Sequence, residues 1–213
     1  MNSITIDSTG CISDLCRICA QTGTDKTPYA KEGKHRHPYT APYSLLFEPL
    51  RNKQIKFAEI GVAAGDSLLA WELFFSKARI YGFDRDENYL AHIKTRVQES
   101  TILDLMDASD SKSIHDVLKK HTEDNELFDV IIDDASHYPS HQQQVILTAL
   151  QFLKPGGLLI IEDISREQPL TPYEIVFPLV KHLVSFHTFI TCDHERRFSP
   201  GWNNDRLLIF IKN

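Results

Sequence analysis

Residues 55–67 read IKFAEIGVAAGDS. An apolar run from Ile55 stops at Gly61, a second glycine follows at Gly65, and DSLLAWELFF (66–75) then carries helical spacing. This strand–glycine turn–helix unit is followed by further strand and helix pairs: ARIYGFD (78–84) with DENYLAHIKTRVQ (86–98), TILDLM (101–106) with SKSIHDVLKKH (111–121), and LFDVIID (127–133) with SHQQQVILTALQFL (140–153). Lys154-Pro155-Gly156-Gly157 then stops a helix, and GGLLIIED (156–163) is a fifth strand. Strands that are apolar throughout, set between amphipathic helices, belong to a parallel sheet covered on both faces. The expected architecture is a doubly wound, Rossmann-like α/β sheet. Beyond residue 171 the rhythm changes. YEIVFPLVKHLV (173–184) reads as helical despite Pro178, and VSFHTFITC (184–192) and RLLIFIK (206–212) follow with no helix between them. They predict an antiparallel C-terminal edge strand on a mostly parallel sheet.

The 213 residues suit one full core plus an N-terminal extension. Hydrophobic residues make up 42% and charged residues 24%, as in ordinary globular domains. A net charge of −6, with no basic run longer than Lys119-Lys120, argues against nucleic acid or an anionic membrane as partner. The opening residues MNSITIDSTG lack a basic, greasy leader, so a cytoplasmic address is expected. Cys11, Cys16 and Cys19 lack the paired knuckles and fourth ligand of a zinc site. Cys16 and Cys19 share a helical face with Ile12 and Leu15 and read as small buried hydrophobes. Residues 1–54 stand outside the strand–helix rhythm and are expected as a small helical N-terminal cap, with helices near 12–20 and 43–51, over a Rossmann-like unit at 55–213. The cap is also the segment available for exchange in a homo-oligomer.

The glycine turn is a candidate binding site. Glycines let a ligand approach the backbone, the next helix offers free N–H groups, and ligands of such sheets sit at this carboxyl edge. The spacing is E-x-G-x-x-x-G rather than the dinucleotide G-x-G-x-x-G. Glu59 would repel a pyrophosphate but suits a ligand with a cationic, amino-acid end. S-adenosylmethionine carries a sulfonium, an ammonium and a ribose but no phosphate. Asp84, closing the second strand, is placed to hold ribose hydroxyls, and Asp107 in MDASD (106–110) to accept from an adenine amino group.

E-I-G-V-A-A-G-D-S, Asp84, D-A-S-D at 107–110 and K-P-G-G together resemble a class I S-adenosylmethionine-dependent methyltransferase. More narrowly, G-T-D-K at 23–26, I-I-D-D-A-S-H at 131–137 and I-I-E-D at 160–163 resemble the macrocin and mycinamicin type of sugar O-methyltransferase. The resemblance covers roughly residues 20–165. It implies cofactor contacts at Glu59, Gly61, Gly65, Ser67, Asp84, Asp107, Ser109 and Asp133, the last at the methionine end. It further implies Mg²⁺ (or Mn²⁺) on Asp134, Glu162 and Asp163, with His137 as general base.

The residues themselves point the same way. Asp134 follows the fourth strand and Glu162-Asp163 close the fifth, so adjacent strands bring three hard oxygen ligands to one edge. Alternatively, Asp133-Asp134 cap the next helix and Glu162-Asp163 are solvated turn acids. A bound dication would acidify an acceptor hydroxyl, and His137, or His141 four residues on, would take its proton. The expected partner is a small-molecule hydroxyl acceptor bearing a sugar. A nicotinamide oxidoreductase is the alternative enzyme, disfavoured by the glycine spacing and the lack of Tyr-x-x-x-Lys. A non-catalytic binding protein on the same fold is the other alternative. Trp71 reads as core. The segments 27–43, 165–172 and 193–205, which would shape the acceptor site, carry no decoded motif.

Overall fold

The structure, a computed structural model, describes residues 3–122 and 126–213. Eight strands form one sheet: β1 (Ser3–Asp7), β2 (Lys56–Ile60), β3 (Arg79–Asp84), β4 (Ile102–Leu105), β5 (Phe128–Asp133), β6 (Leu153–Ile164), β7 (Val184–Asp193) and β8 (Arg206–Lys212), in the order β1-β7-β8-β6-β5-β2-β3-β4. Every pairing is parallel except those of β8, which runs antiparallel between β6 and β7. The C-terminal hairpin therefore closes this end of the sheet, and β1 pairs outside it, parallel to β7. The sheet is mostly parallel with its antiparallel component at the C-terminal end.

The sheet is covered on both faces. Residues 57, 80, 130, 132, 158 and 160 point to one face, where α1 (Asp14–Thr22), α2 (Thr40–Phe47), α3 (Asp66–Phe74) and α4 (Glu87–Ile93) bury Leu15, Phe47, Leu68, Trp71 and Ile93 against them. Residues 58, 60, 81, 83, 131, 159 and 161 point to the other, under α5 (Ser111–Lys120), α6 (Pro139–Ala149), α7 (Thr171–Glu174) and α8 (Phe177–Val180). This alternation is the period of two of a strand, and it fixes which way the acids at the strand ends point.

The N-terminal segment shares the first of these cores. α1 starts where Ser13 Oγ accepts from Cys16 N (3.1 Å) and ends at Gly23, whose left-handed backbone returns a hydrogen bond to Cys19 O. All four cysteines are free thiols, with Cys16, Cys19 and Cys192 buried.

Two predicted helices are shorter than their sequence pattern. The stretch 173–184 splits into α7 and α8 because Pro178 has no N–H to give the carbonyl of Glu174; it sits instead in the first turn of α8, where none is needed. α4 stops at Ile93. Thr95 Oγ1 takes the carbonyl of His92 (2.7 Å), and Arg96 turns back to Asp66 (2.7 Å). Among the described residues, no helix is long and apolar enough to cross a membrane.

Candidate functional site

β2, β5 and β6 are neighbours, so their carboxyl ends meet at one edge. After β2 the chain turns through Gly61 at φ +86°, and a Cβ there would lie 2.4 Å from both Ala135 Cα and the Asp134 carbonyl oxygen. Glycine is required because the exit of β5 crosses directly over it, held by Asp134 N donating to Ile60 O (2.8 Å). Asp84 closes the same turn, its Oδ2 accepting from Val62 N and Ala63 N at 3.0 Å each. Gly65 heads α3 in the left-handed region against Ile93.

Two cavities flank this turn. The smaller, ≈ 100 Å³, is lined by Asp84, Met106, Asp107, Ser109, Ser136 and His141 among others. Asp107 Oδ1 accepts from Ser109 Oγ (2.7 Å) and Ser109 N (2.8 Å), which holds its carboxyl below the usual range. The larger, ≈ 530 Å³, runs from Gly61 and Ser67 past Lys34 and His35 to Asp134, His137 and Asp163.

In the larger cavity Asp134, His137 and Asp163 converge, with one potential ligand atom of each within 4.8 Å of the others. His137 Nε2 lies 3.6 Å from Asp163 Oδ2, and Nδ1 lies 3.9 Å from Asp134 Oδ1 and is buried without a hydrogen-bond partner. Both His137 and Asp163 have φ of +58°. Non-glycine residues adopt that region at a cost and cluster in it at functional sites. Burial, only partly offset by Lys26, pushes the Asp134 carboxyl up to about 7.

Beneath this triad lies Lys26, only 1% exposed. Its Nζ meets Glu162 Oε2 at 2.6 Å and Glu59 Oε1 at 3.1 Å, and donates to Asp134 Oδ2. Burial works against the ammonium, but Asp134, Glu162 and Glu59 together hold its pKa well above that of an ordinary lysine. Tyr43 donates its hydroxyl to Glu162 Oε1, and Tyr39 donates to Asp163 Oδ1 (2.5 Å). His37 stacks on Tyr39 (ring centroids 5.2 Å apart) and bonds Asp205 Oδ1 at 2.9 Å. Burial disfavours its charge, but Asp163 and the Asp205 hydrogen bond lift it to about 9.

The structure distributes the sequence-derived residues unevenly. Gly61, Ser67, Asp84, Asp107, Ser109, Asp134, His137 and Asp163 line one cavity or the other. Gly65 shapes the turn from outside both. Glu59, expected at the cofactor, is instead enclosed by Ser67 Oγ (2.7 Å), Trp71 Nε1 (2.8 Å) and Lys26, because it is in phase with Phe57 and points under α3. Asp133, in phase with Ile131, points to the opposite face and lines neither cavity. Its Oδ1 accepts from Ala135 N (3.3 Å), Oδ2 has no partner, and burial pushes the carboxyl up to about 6. Glu162, expected beside Asp134 and Asp163 as a metal ligand, is buried with both oxygens engaged. His141 faces the smaller cavity and bonds Ser136 Oγ (2.7 Å), away from the triad. Trp71 is fully buried core. Lys26, Tyr39, Tyr43 and His37 carried no sequence-derived role; the one signal for Lys26 was its place at the end of G-T-D-K.

Two of the undecoded segments, 27–43 and 193–205, meet beside His35, which lines the larger cavity. Arg36 N donates to Phe198 O (2.7 Å), Phe198 N to Arg36 O (3.1 Å), and the Arg36 guanidinium lies over the Phe198 ring at 5.3 Å. His35 Nδ1 pairs with Ser199 Oγ at 3.0 Å.

A family model described as a methyltransferase domain matches residues 58–164. The chain is 30% identical over 135 residues to mycinamicin VI 2''-O-methyltransferase of Micromonospora griseorubida, an alignment covering 60% of this chain and 31% of that protein. It is 32% identical over 136 residues to 8-demethyl-8-alpha-L-rhamnosyl tetracenomycin-C 2'-O-methyltransferase of Streptomyces olivaceus, covering 61% of this chain and 34% of that one. The match thus spans about a third of the length of these curated relatives. Among solved structures, the fold resembles the MycE methyltransferase from the mycinamycin biosynthetic pathway in complex with Mg and SAH, with a TM-score of 0.70 and 20% identity over 94% of this chain and 55% of that one. A putative caffeoyl-CoA O-methyltransferase from Staphylococcus aureus shares the fold at a TM-score of 0.57 and 16% identity over 95% of this chain and 93% of that one.

Proposed function

Because the chain belongs to the methyltransferase-domain family matched by its residues 58–164, we propose that it moves the methyl group of S-adenosylmethionine to a hydroxyl on a sugar of a glycosylated small molecule. The observation that carries this reading is the convergence of Asp134, His137 and Asp163 on the cavity that opens from the Gly61 turn, with two of the three in left-handed backbone. The relatives named for sugar O-methylation support the acceptor class.

The donor set suits a hard dication, Mg²⁺ or Mn²⁺. Asp134 and Asp163, whose nearest carboxylate oxygens lie within 4.8 Å of each other, would hold it, and the His137 imidazole beside them is kept for the proton. When bound, such an ion lowers the pKa of the acceptor hydroxyl and supplies electrostatic stabilisation as negative charge develops on its oxygen.

The chain's own residues do the rest. Asp107 accepts from the adenine amino group in the smaller cavity, with Ser109 fixing its orientation. Asp84, whose Oδ2 accepts from Val62 N and Ala63 N and whose Oδ1 accepts from Asp86 N, keeps one lone pair, on Oδ1, for a ribose hydroxyl. The Gly61 turn leads the methionine arm into the larger cavity. There the acceptor oxygen attacks the methyl carbon, a C–O bond forms as the S–CH₃ bond breaks, and His137 takes the hydroxyl proton. The products are a methyl ether and S-adenosylhomocysteine. α1, α2 and the chain around them act as the cap, because Gly23, Lys34 and His35 wall the larger cavity, while β1 belongs to the sheet. Reduced, free cysteines fit a cytoplasmic setting. The nicotinamide alternative gains no support from the turn or from the family.

Calorimetry with S-adenosylhomocysteine, with NAD as control, tests the cofactor. Transfer of radiolabelled methyl to a panel of rhamnosylated polyketides, with EDTA and then Mg²⁺, tests the rest. Micromolar binding of S-adenosylhomocysteine alone and Mg²⁺-restored transfer are expected. Binding of NAD instead, or transfer indifferent to EDTA, contradicts the reading.

A further inference from the structure

We propose that Trp202 is the specificity-determining residue for the part of the acceptor next to the reacting sugar, and that this part is a flat apolar aglycone stacked on its indole. The inference rests on the sugar-acceptor reading above and concerns what lies beyond the sugar.

The larger cavity suits a hydrophilic ring. Its apolar side chains, Val62, Ala63, Ala64 and Ala135, all stand at the Gly61 turn, the place of the methionine arm. Away from that turn every side chain in its lining is polar or charged, from Thr24, Asp25 and Lys34 to His137. An apolar group pressed against such side chains would strip them of water and offer no hydrogen bond in return. The hydroxyls of a sugar ring do offer one. An aglycone joined to that ring therefore lies outside the cavity and needs an apolar surface there.

Trp202 is held in place to be that surface. Residues 199–202, Ser-Pro-Gly-Trp, form a tight turn closed by Trp202 N donating to Ser199 O (3.1 Å), with Gly201 at φ +78°. The turn is tied to its surroundings on both sides. Ser199 Oγ bonds Asn204 Oδ1 (2.9 Å) and His35 Nδ1 (3.0 Å), and Asn203 O accepts from Arg166 N (2.6 Å). The Tyr39 hydroxyl lies 2.8 Å from Asn204 O and 2.5 Å from Asp163 Oδ1. Two residues of chain and these two contacts keep the Trp202 backbone within about 15 Å of the Asp163 carboxylate, a span that a sugar and its aglycone cover. The indole is nevertheless 60% exposed, and Phe198 in the same loop is 40% exposed. A single exposed aromatic is commonplace. This one is anchored beside a polar cavity that provides no apolar wall of its own, and tryptophan gives a large flat contact at little conformational cost.

Two probes that share a sugar separate the aglycone from the ring: phenyl α-L-rhamnoside and methyl α-L-rhamnoside. Each is titrated by calorimetry into the full chain loaded with S-adenosylhomocysteine, as wild type, W202A and W202F. Wild type should bind the phenyl glycoside about 5–10-fold more tightly than the methyl glycoside. W202A should bring that ratio below about twofold by weakening the phenyl glycoside alone, and W202F, which keeps a ring, should retain most of it. Fluorescence gives a second readout that a merely structural role would not move. The chain has two tryptophans, and Trp71 is fully buried, so the exposed component of the emission belongs to Trp202. The phenyl glycoside should quench that component and the methyl glycoside should leave it alone.

Equal affinity of wild type for the two glycosides, or a W202A variant that keeps the wild-type ratio, overturns the proposal and leaves the sugar-acceptor reading standing. If the protein binds S-adenosylhomocysteine but neither glycoside, that reading and this proposal fall together while methyl transfer itself is upheld.

Discussion

Gly61→Ala tests the geometry on which the site depends. Alanine at φ +86° costs about 1–2 kcal/mol for the left-handed backbone alone. The new Cβ would also lie 2.4 Å from Ala135 Cα and from Asp134 O, well inside the 3.5–4.0 Å of ordinary carbon contact. Both neighbours are backbone, so relief requires the end of β5 to move away by roughly 1 Å or more. That motion strains the 2.8 Å bond from Asp134 N to Ile60 O, worth about 1 kcal/mol, and carries Asp134 away from Asp163. The total should be about 3–5 kcal/mol. Gly156→Ala is the internal control. It has φ +78° with nothing within 4 Å of the added Cβ, so it should lose only the conformational part, about 1–2 kcal/mol. The unfolded-chain benefit of alanine over glycine is common to both and cancels in the difference. Urea unfolding with m-values reports the stabilities, and calorimetry with S-adenosylhomocysteine reports the site. If the two variants lose equal stability, or Gly61→Ala binds S-adenosylhomocysteine as wild type does, the close approach does not have the importance assigned to it.

Other perturbations probe single groups. Asp133→Asn removes a buried carboxyl whose pKa stands at about 6 against 3.8. A raised carboxyl pKa means that the wild-type stability is full below pH 3.8 and falls as pH rises through 6. The asparagine variant should therefore match wild type below about pH 4 and exceed it by roughly 3 kcal/mol above pH 6, and a gain independent of pH would refute this. His137→Ala should lower kcat by about 10²–10⁴-fold while leaving affinity for S-adenosylhomocysteine in place; a loss under tenfold in kcat would remove His137 as base. Tyr39→Phe strips Asp163 Oδ1 of its hydroxyl donor and should cost about 2 kcal/mol, a fall in Tm of roughly 4–8 °C by calorimetric scan. An unchanged Tm would mean that water replaces the hydroxyl.

The sheet was legible because its strands are uniformly apolar and its helices are not, and because glycines stand where β2 turns. The convergence of Asp134 and Asp163 followed from strand adjacency. Direction was the harder quantity. Glu59 and Glu162 share the phase of Phe57 and Ile160, and Asp133 that of Ile131, so the period of two was present in the sequence. What it could not tell was that the face under α3 holds a lysine able to claim two of those acids. Lys26 sits 33 positions before Glu59 and 136 before Glu162 in a short polar loop, and nothing local marks it as buried. Nor do His137 and Asp163 announce left-handed backbone, which the chain around them imposes. The long predicted helix at 173–184 failed for a local reason that Pro178 already carried.

The bridge between Arg36 and Phe198 bears on how this chain can be diversified. Two stretches more than 160 positions apart are tied together beside His35, which lines the larger cavity, so in a recombination library they are best moved as one cassette. A chimera that takes 33–37 from one parent and 194–204 from another keeps the backbone donors and acceptors but separates the side chains that clamp them, Arg36 on Phe198 and His35 on Ser199. Crossovers placed outside both stretches, with the pair inherited together, keep those contacts while the exposed side chains around them vary.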